Sequence, residues 1–594
     1  MTAQGTRRSL SGAQWRFGEP DMQQVHILTQ RHALPEYIAR LLVLRGISDE
    51  DVPAFLNPTF QNDLPAPSLF AGMDQCAQDV ARAIQAQKKF AIFGDFDVDG
   101  ATSSAVAYRF LKACGIEAPI YIPERLTEGY GPNEQALQSL RDQGVEVLLM
   151  LDCGTGAKET IAAGQDMGLQ IVILDHHEAG SDLPPAWHVI NPKRKDDGSG
   201  LDMLAAVGVT FYFCVAVNAQ LKKDDFYNKD NIKTPNLKEL IDLVALGTVC
   251  DMVPLVHVNR LFVKQGFKQM DSLSNEGVNA LASVSGIAPP FTPYHAGYVL
   301  GPRVNAGSRV GKSSLGAQLF TLGADAAKEA ENIAWTLNDC NAKRKDMQSA
   351  MEAEALAMVD QTGASDDTVI IVACEGWHSG LTGLVAGRLK EHYGRPACVI
   401  CLEDGLGKGS GRSIDGIHLG QVFIDAMDKG LITKGGGHAM AGGFTLNEDQ
   451  IDTFKSFVQD HVNAQINSEL PTVSHDIEGV VSVRGALNLE NAKRLHEEIG
   501  PFGMGFEEPL FLLKGVRIIS ADIVGGAHVR LLLSDAEGGA RIKAMAFRSA
   551  GTNMGEALIK QKHQSFDIVG QLKINSWQGR ETVELHVRDA RIAE

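Results

Sequence analysis

Residues 92–100 read IFGDFDVDG, an apolar run followed by three aspartates on alternate positions. Alternate side chains of an extended segment point to the same face, so Asp95, Asp97 and Asp99 would lie side by side. Carboxylates held this close repel one another unless a cation lies between them. The stretch therefore predicts a buried strand that ends at a metal site.

The sequence on both sides of this stretch alternates short β-rich runs with helical patterns, from residue 88 to about residue 260. Such alternation is typical of a parallel α/β sheet, in which ligands bind at the carboxyl ends of the strands. Asp152 follows the run VEVLLML, and Asp175, His176 and His177 follow QIVIL. We expect these side chains to converge on one site with the first three aspartates.

A further acid, Asp251, follows a long helical stretch that begins near Asn236, and it could complete the cluster. Carboxylates with one imidazole suit Mg²⁺ or Mn²⁺ better than structural zinc. Two such ions ~3.5–4 Å apart can activate a water and stabilise the leaving oxygen of a phosphoester. Each aspartate alone could instead cap a helix, but the four occurrences in one domain favour a metal site formed by Asp97, Asp99, Asp152, His176 and Asp251.

The two adjacent histidines point in different directions in an extended or turning segment, so they cannot easily share one role. We assign His176 to the metal and His177 to the phosphate of the substrate. There, His177 could stabilise developing charge or protonate the leaving alkoxide. The alternative for His177 is a structural histidine.

Length and composition limit the class of protein. A chain of 594 residues is too long for one hydrophobic core. Its net charge of −18 argues mildly against a wholly basic nucleic-acid binder but leaves room for a local basic channel. Since the sequence has no apolar run of ~18 residues and no apolar segment behind its N-terminus, we expect a cytoplasmic protein.

The chain divides by pattern into five segments. Residues 1–75 look like an N-terminal appendage, 76–320 like the α/β catalytic domain and 321–365 like a long connecting helix, since residues 324–362 contain no Gly or Pro. Residues 366–470 again alternate strands and helices, and 471–594 contain β-like runs that suggest a small barrel. The fold class is therefore α/β, with two sheet domains joined by a helix and followed by a β-barrel.

Two glycine-rich stretches and one arginine-containing stretch supply candidates for contacts with the substrate. GKGSGRS (407–413) and GGGHAMAGG (435–443) would let the backbone approach a phosphate, and GPRVNAGSRVG (301–311) looks like a loop between the two lobes. The alternatives are tight turns and simple salt bridges. The candidates are Arg303, Asn305, Arg309, Arg412, Ser413, Gly436, Gly437 and His438.

The motifs together resemble a known family. DFDVDG, LDCGTG, LDHHE and GTVCDMVPL resemble the four motifs of the DHH phosphoesterase superfamily, and the two glycine-rich stretches resemble its DHHA1 domain. The blocks RLTEGYGPN, LGPRVNAGSRVG, GWHSGLTGLVAGRL and PFGMGFEEPLF, in this order, resemble the RecJ family within it. The resemblance extends from about residue 75 to the C-terminus.

The resemblance implies a metal-dependent exonuclease that degrades single-stranded DNA in the 5′ to 3′ direction to mononucleotides, in recombination and repair. It implies two Mn²⁺ or Mg²⁺ ions on Asp97, Asp99, Asp152, His176 and Asp251, with His177 on the scissile phosphate. Many superfamily members carry a metal-binding histidine where this chain has Phe93. Asp95 either fills that role as a ligand or only supports the ligands, and the sequence leaves both open.

The resemblance also implies a terminal OB-fold barrel, a domain that tracks single strands with basic and aromatic side chains. Candidates for that surface are Lys543, Phe547, Arg548, Lys573 and Trp577. The implied partners are single-stranded DNA, single-strand-binding protein and a RecQ-like helicase, with no membrane.

Two rival functions remain. One is a DHH-type phosphodiesterase of short oligonucleotides or cyclic dinucleotides, against which the extra terminal domain argues. The other is a non-catalytic single-strand-binding scaffold, against which the intact acids at all four motifs argue.

Overall fold

The structure is a computed structural model that describes residues 9–229, 232–466, 473–536, 538–561, 563–577 and 579–593. The chain forms two compact units, each discontinuous in sequence. Unit 1 is drawn from residues 1–64, 254–261 and 472–594, and unit 2 from residues 65–253 and 262–471. The expected boundary between residues 470 and 471 falls outside the described residues. Among the described helices, none has the length and apolar character that a membrane crossing requires.

The N-terminal part of unit 1 is one short strand and four helices. The first helix is capped by Asp21, whose carboxylate accepts hydrogen bonds from the backbone N–H groups of Gln23 and Gln24. The elements are β1 (Gln14–Phe17), α1 (Met22–Arg31), α2 (Glu36–Leu44), α3 (Val52–Leu56) and α4 (Phe60–Asp63).

Unit 2 opens with a five-stranded, all-parallel sheet of order β3-β2-β4-β5-β6. Every residue of β2 and of β4 is buried, as expected for strands covered on both faces. The elements are α5 (Met73–Gln85), β2 (Phe90–Gly94), α6 (Val98–Ala113), β3 (Ile120–Tyr121), α7 (Glu134–Asp142), β4 (Val147–Leu151), α8 (Lys158–Asp166), β5 (Gln170–Leu174) and β6 (His188–Ile190).

A helical region follows the sheet and ends in a helix of 36 residues, α16. The stretch that we expected to be a loop, GPRVNAGSRVG, is helix α14, directly after a π-helical turn over His295–Leu300. The helices are α9 (Ala206–Lys223), α10 (Phe226–Lys229), α11 (Ile241–Cys250), α12 (His257–Met270), α13 (Glu276–Val284), α14 (Gly301–Val310), α15 (Leu315–Thr321) and α16 (Ala327–Thr362).

The second sheet of unit 2 is mixed, with the order β10-β11-β9-β8-β7, and only β7 and β8 pair in parallel. Both glycine-rich stretches belong to its antiparallel part, where β10 and β11 form a hairpin with His438 in its turn. The elements are β7 (Ile370–Glu375), α17 (Thr382–Tyr393), β8 (Ala397–Glu403), β9 (Leu406–Arg412), α18 (Leu419–Asp428), β10 (Lys434–Gly437), β11 (Ala441–Asn447) and α19 (Ile451–Ile466).

The C-terminal part of unit 1 is a barrel in which the pairing of β13 with β16 closes the strand series β13-β14-β15-β17-β16. This confirms the expected fold class. The elements are β12 (Ser474–Val480), α20 (Val483–Ala486), α21 (Leu489–Arg494), β13 (Leu510–Val524), β14 (His528–Ser534), β15 (Arg541–Ala546), α22 (Asn553–Lys560), β16 (Ser565–Trp577) and β17 (Arg580–Ile592).

The two ends of the chain meet in unit 1. Strand β1 pairs in parallel with β12, with Gln14 opposite Ser474, and Trp15 Nε1 donates a hydrogen bond of 2.8 Å to the buried carboxylate of Asp589. Arg45 adds a bidentate pair with Glu478, at 2.7 and 2.8 Å. The N-terminal segment is therefore part of the sheet that carries the barrel, which local sequence patterns do not indicate.

Candidate active site

The acidic side chains follow the carboxyl ends of three neighbouring strands of the parallel sheet. Asp95 comes directly after β2, Asp152 directly after β4, and Asp175 directly after β5. Asp97 caps the N-terminus of α6 by accepting a hydrogen bond of 3.1 Å from the N–H of Gly100, and Asp99 lies in the first turn of that helix. Parallel strands place these side chains at one edge of the sheet, as the sequence predicts.

The potential ligand atoms form three overlapping groups, each with all its atoms within 4.8 Å of one another. The groups are Asp95–Asp97–Asp152, Asp152–His176–His177 and Asp99–His176–Asp251. His176 is central, since its Nε2 lies 3.4 Å from Asp152 Oδ1, 3.5 Å from Asp251 Oδ2 and 3.8 Å from Asp99 Oδ2. The structure thus brings together every residue that the sequence proposed as a metal ligand, including Asp95.

Asp152 adopts an unusual backbone conformation, with φ of 60°. A non-glycine residue in this region costs on the order of 1–3 kcal/mol and persists where the surroundings hold it. The N–H of Asp152 donates to the carbonyl of Leu174 on β5, which continues the ladder past the end of β4. The strain places the Asp152 carboxylate in the centre of the cluster, where two of the three groups share it.

The close approach of helix α11 to α6 depends on Gly247. A Cβ at this position would lie 2.3 Å from Thr102 Oγ1, closer than a real side chain allows, and a tight 3.2 Å from Asp99 Oδ1. The glycine lets α11 end against the cluster, so that Asp251, the residue that ends α11, reaches His176.

The carboxylates are buried together, and several of their oxygens have no hydrogen-bond partner among the described residues. Burial, and then the charge of Asp97, raises the pKa of Asp99 to about 7, and burial with neighbouring carboxylates also raises the pKa values of Asp95, Asp152 and Asp251. Among the described residues, no hydrogen-bond partner reaches Asp95 Oδ1, Asp152 Oδ1 or Asp251 Oδ2. Buried, unpaired carboxylate oxygens that face one another fit a divalent cation.

The two histidines differ in charge and in contacts. Burial, and then the charge of His177, lowers the pKa of His176 to about 4, so its imidazole is neutral, as a metal ligand must be. Burial alone would lower the pKa of His177, but its Nδ1 lies 2.7 Å from Asp175 Oδ1, and this hydrogen bond and charge raise it. His177 is therefore the histidine that can offer a proton to an anion.

Two functional candidates near His177 were not singled out from the sequence. The Tyr130 hydroxyl lies 3.1 Å from His177 Nε2, and the residue stands in the chain between Gly129 and Gly131, both with positive φ. Arg125 stacks over Phe96 at 4.8 Å, and its charge acts on Asp95 and Asp97. Both belong to the block RLTEGYGPN, whose charged and aromatic residues within a glycine-containing loop were the available signal.

The guanidinium groups of Arg125, Arg309 and Arg412 lie within electrostatic range of one another, and Arg344 is also within range of Arg309. Burial, and then the charges of Arg125 and Arg412, lowers the pKa of Arg309 to about 9, and Asp97 is also within electrostatic range of it. The pKa of Arg412 is lowered by burial and by Arg125. Arg309 Nη1 donates to the carbonyl of Gly380 at 2.6 Å, which holds α14 to the segment before α17. Clustered cations next to an acidic site can bind an anion between them.

The remaining candidates lie in two places. Asn305 precedes Arg309 by four positions on α14, so both lie on the same face of the helix. Arg303 lies elsewhere on α14 and donates to Val299 O at 2.7 Å and to Asn338 Oδ1 at 3.1 Å. Of the two arginines on α14, Arg309 belongs to the arginine cluster and Arg303 does not.

The other candidates belong to the second sheet. Ser413 is buried and donates its hydroxyl to Ile417 O at 2.9 Å, a contact that fixes its own loop. Gly436 and Gly437 pair with Gly443 and Gly442 in the hairpin, and His438 is exposed in its turn. Contacts of these residues with a substrate stay a prediction.

Comparison with protein-family models identifies three domains in the order expected. Residues 89–248 match the DHH family N-terminal domain, residues 366–464 the DHHA1 domain and residues 479–589 the RecJ OB domain. The acidic cluster lies at the sheet edge of the first of these domains, with Asp251 just beyond the matched residues. Fold and site together define a DHH–DHHA1 phosphoesterase with an OB domain.

Curated relatives narrow this class. The chain is 32% identical over 568 residues to the single-stranded-DNA-specific exonuclease RecJ of Dickeya dadantii, with 93% of this chain and 95% of the relative covered. It is 31% identical over 568 residues to the protein of that name from Escherichia coli, with the same coverage. The chain belongs to the RecJ family.

Solved structures agree with this assignment. The crystal structure of RecJ in complex with Mn²⁺ from Thermus thermophilus matches with a TM-score of 0.79 at 24% identity, covering 98% of this chain and 80% of that chain, and shows the fold. A crystal structure of exonuclease RecJ bound to manganese matches with a TM-score of 0.56 at 27% identity, covering 68% of this chain and 96% of that one.

Proposed function

We propose that this protein is a metal-dependent exonuclease that hydrolyses single-stranded DNA from the 5′ end to mononucleotides, in DNA recombination and repair. Its relatives at about this length are named for single-stranded-DNA-specific exonuclease activity. The observation that carries the proposal is the juxtaposition of buried, unpartnered carboxylate oxygens with three guanidinium groups. The first set suits cations and the second suits phosphate, and a phosphodiester nuclease needs both.

The cofactor is Mn²⁺ or Mg²⁺, the ions bound in the Thermus thermophilus RecJ structures. Two such ions, when bound, supply an activated water and offset charge on the phosphoryl oxygens. The residues that would hold them are Asp95, Asp97, Asp99, Asp152, His176 and Asp251. Their hard oxygens and single neutral imidazole match the ligand preference of these ions.

His177 acts on the phosphate rather than on the metal in this proposal. Its Nδ1 is engaged by Asp175, which fixes the ring and favours the protonated form, so Nε2 is the atom left to donate to a phosphoryl oxygen. In the structure Nε2 faces the hydroxyl of Tyr130. A substrate oxygen would take the place of this hydroxyl or share the proton with it.

The arginine cluster binds the phosphate at the 5′ end. Arg125, Arg309 and Arg412 repel one another, so an anion between them relieves a cost that the free protein bears. Planar guanidinium groups can each donate two hydrogen bonds to one phosphate. Asn305 adds an amide on the face of α14 that carries Arg309. Binding of a terminal phosphate at a fixed distance from the carboxylates selects the end of a strand over its interior.

The barrel extends the binding of single-stranded DNA. Phe547 is about half exposed, and its ring contacts His528 and His586 at centroid distances of 5.3 and 4.9 Å. Such exposed rings can stack on bases of any sequence. Lys573 is ion-paired with Glu508 and offers less charge to a phosphate than expected, and the side chain of Trp577 lies outside the described residues.

One observation argues against each of the two rival functions. A DHH-type phosphodiesterase for short oligonucleotides or cyclic dinucleotides would use the same carboxylates, but the match to the RecJ OB domain over residues 479–589 favours long strands. A non-catalytic scaffold would have no use for strained Asp152 or for buried carboxylates without partners.

The proposal includes partners and a location in the cell. Single-strand-binding protein and a RecQ-like helicase are the partners that would supply single strands to such an enzyme. A cytoplasmic location and the five-segment division of the chain complete the proposal.

The test is a time course of degradation on single-stranded and double-stranded DNA, labelled at either end, with Mn²⁺, Mg²⁺ or EDTA. We expect immediate release of a 5′ label as mononucleotide from the single strand only, and no release in EDTA. Equal degradation of di- to tetranucleotides and long strands would favour the phosphodiesterase. Binding without release in every metal would favour the scaffold.

A further inference from the structure

Two tyrosines of unit 2, Tyr294 and Tyr298, are stacked on each other yet largely exposed. Their ring centroids lie 5.2 Å apart with 25° between the planes, and the residues are 64% and 74% exposed. Aromatic side chains contribute most when buried, so two aligned rings left in solvent are not explained by the stability of the fold. Tyr294 also meets the His295 ring edge-on at a centroid distance of 6.1 Å, and the exposure of both tyrosines leaves ring surface for a third planar group.

The backbone beneath the two rings is firmly attached to the end of helix α11. The rings belong to the π-helical turn over His295–Leu300 and the residue before it, and Ala296 and Leu300 of that turn are buried. Cys250 Sγ donates a hydrogen bond of 3.4 Å to Ala296 O. Cys250 directly precedes Asp251, so the turn that carries the pair is attached to α11 one residue before a member of the acidic cluster. Wide helical turns of this kind occur often at functional sites.

A positive charge is hydrogen-bonded to the turn that carries the pair. Arg303 donates to Val299 O, on the same turn, and to Asn338 Oδ1 on α16. Both acceptors are neutral, so the guanidinium retains its full charge for a nearby anion. An aromatic pair with an adjacent arginine combines the two elements that bind single-stranded nucleic acid, a surface for bases and a contact for the backbone.

We propose that Tyr294 and Tyr298 form a platform on which bases of the single-stranded substrate stack on their way to the carboxylates, with Arg303 contacting the phosphate between stacked nucleotides. This rests on the proposed function, since it assumes that the substrate is a single strand. A protein partner on the same rings is the competing occupant. The platform explains tolerance of base identity, because every base has a face that can stack.

The test compares two double variants of the full-length enzyme. Tyr294→Leu/Tyr298→Leu keeps apolar bulk and removes the aromatic faces, whereas the matched control Tyr294→Phe/Tyr298→Phe removes only the hydroxyls. Because stacking contributes strongly per base, we expect KM for a long single strand to rise roughly 10- to 100-fold in the leucine variant and less than about 2-fold in the phenylalanine variant. We expect kcat to stay unchanged in both, since neither tyrosine touches the reacting phosphate.

Substrates with single abasic positions separate stacking from a general effect. Moving one abasic residue along the first ten nucleotides should raise the KM of the wild type at one or two positions and leave the leucine variant unaffected at those positions. An unchanged KM in the leucine variant, or a response to abasic residues equal to that of the wild type, would overturn the platform. If the wild type degraded no single strand at all, the proposed function would fail, and the platform with it.

Discussion

The two five-stranded sheets of unit 2 are built on opposite principles. The first is all parallel, and its functional side chains follow the carboxyl ends of β2, β4 and β5. The second has an antiparallel part in which β9, β10 and β11 carry glycine on many positions. The first sheet places reactive side chains at one edge, whereas the second has strands in which many residues lack a side chain.

The glycines of β9 are required by the packing of the domain core. A Cβ at Gly409 would lie 2.2 Å from the ring of Phe444, and one at Gly411 would lie 2.5 Å from Leu419. These alternate positions face the core of the domain, while Lys408 and Arg412 point to the other face. Gly409 and Gly411 therefore make room for core packing, and Arg412 is the residue of this strand that we propose to contact the substrate. A glycine-rich stretch can therefore be required for core packing as well as for ligand binding.

The largest effect is expected from Asp152→Asn, which removes a charge at the centre of the parallel sheet's site. Asparagine has the same shape and tolerates positive φ, so the fold should persist. Two of the three ligand groups include Asp152, so hydrolysis of single-stranded DNA should fall below detection. The assay is release of a 5′ label with Mn²⁺, together with thermal unfolding. Wild-type turnover in this variant would rule out the proposed ligand set.

The next largest effect is expected from His177→Ala, which removes a group from the phosphate and leaves the metal ligands in place. The rate should fall by roughly 10²- to 10⁴-fold, the usual range for acid–base and charge-stabilising groups. Bound manganese, measured by mass spectrometry, should change little, whereas the matched variant His176→Ala should lose metal. Equal loss of metal in both variants would contradict the division of roles between the two histidines.

Arg412→Ala tests the one functional side chain that we assign to the glycine-rich sheet. Loss of charged hydrogen bonds should lower kcat/KM by about 10- to 100-fold on a strand with a 5′ phosphate, and less on one with a 5′ hydroxyl. Lys408→Ala is the control, because Lys408 is exposed on the same face at the other end of β9. An identical loss on both strands would show that Arg412 does not read the terminal phosphate.

The smallest effect is expected from glycine replacements, and it separates packing from ligand binding. Gly409→Ala should lower the free energy of unfolding of its domain by about 1–3 kcal/mol, because the methyl group overlaps Phe444. Gly436→Ala is the control, since its Cβ would meet nothing within 4 Å. Thermal unfolding and KM are measured for both. A higher KM with normal stability in Gly436→Ala would indicate that the hairpin backbone contacts DNA after all.

The sequence predicted the acidic cluster because its determinants are local. Buried runs such as VEVLLML identify strands, and the geometry of a parallel sheet then places Asp152 and His176 at a common edge. Asp251 was a weaker inference, since it ends a helix and reaches the cluster only because Gly247 lets α11 approach α6. Local patterns locate strand ends but not the packing of helices.

Helix α14 shows why the prediction failed where glycine and proline suggested a loop. Pro302 lies in the first turn of the helix, where a proline costs little. Gly307 lies against α16, where a Cβ would be 3.0 Å from Leu337 Cδ2. The proline is thus tolerated because of its position in the helix, and the glycine because of its contact with α16. Neither the helix start nor that contact is visible in a single sequence. The pairing of β1 with β12 was hidden for the same reason, since its partners are far apart in the chain.

The pairing of β1 with β12 also sets an order of events during synthesis. The ribosome makes residues 1–64 first and their partners in residues 472–594 last, with the greater part of unit 2 between them. At about 5–20 residues per second, the N-terminal helices wait on the order of 20–80 s before the barrel emerges. During that interval β1 has no β12 to pair with and Arg45 has no Glu478. The nascent chain can therefore complete most of unit 2 before its own first strand has a partner.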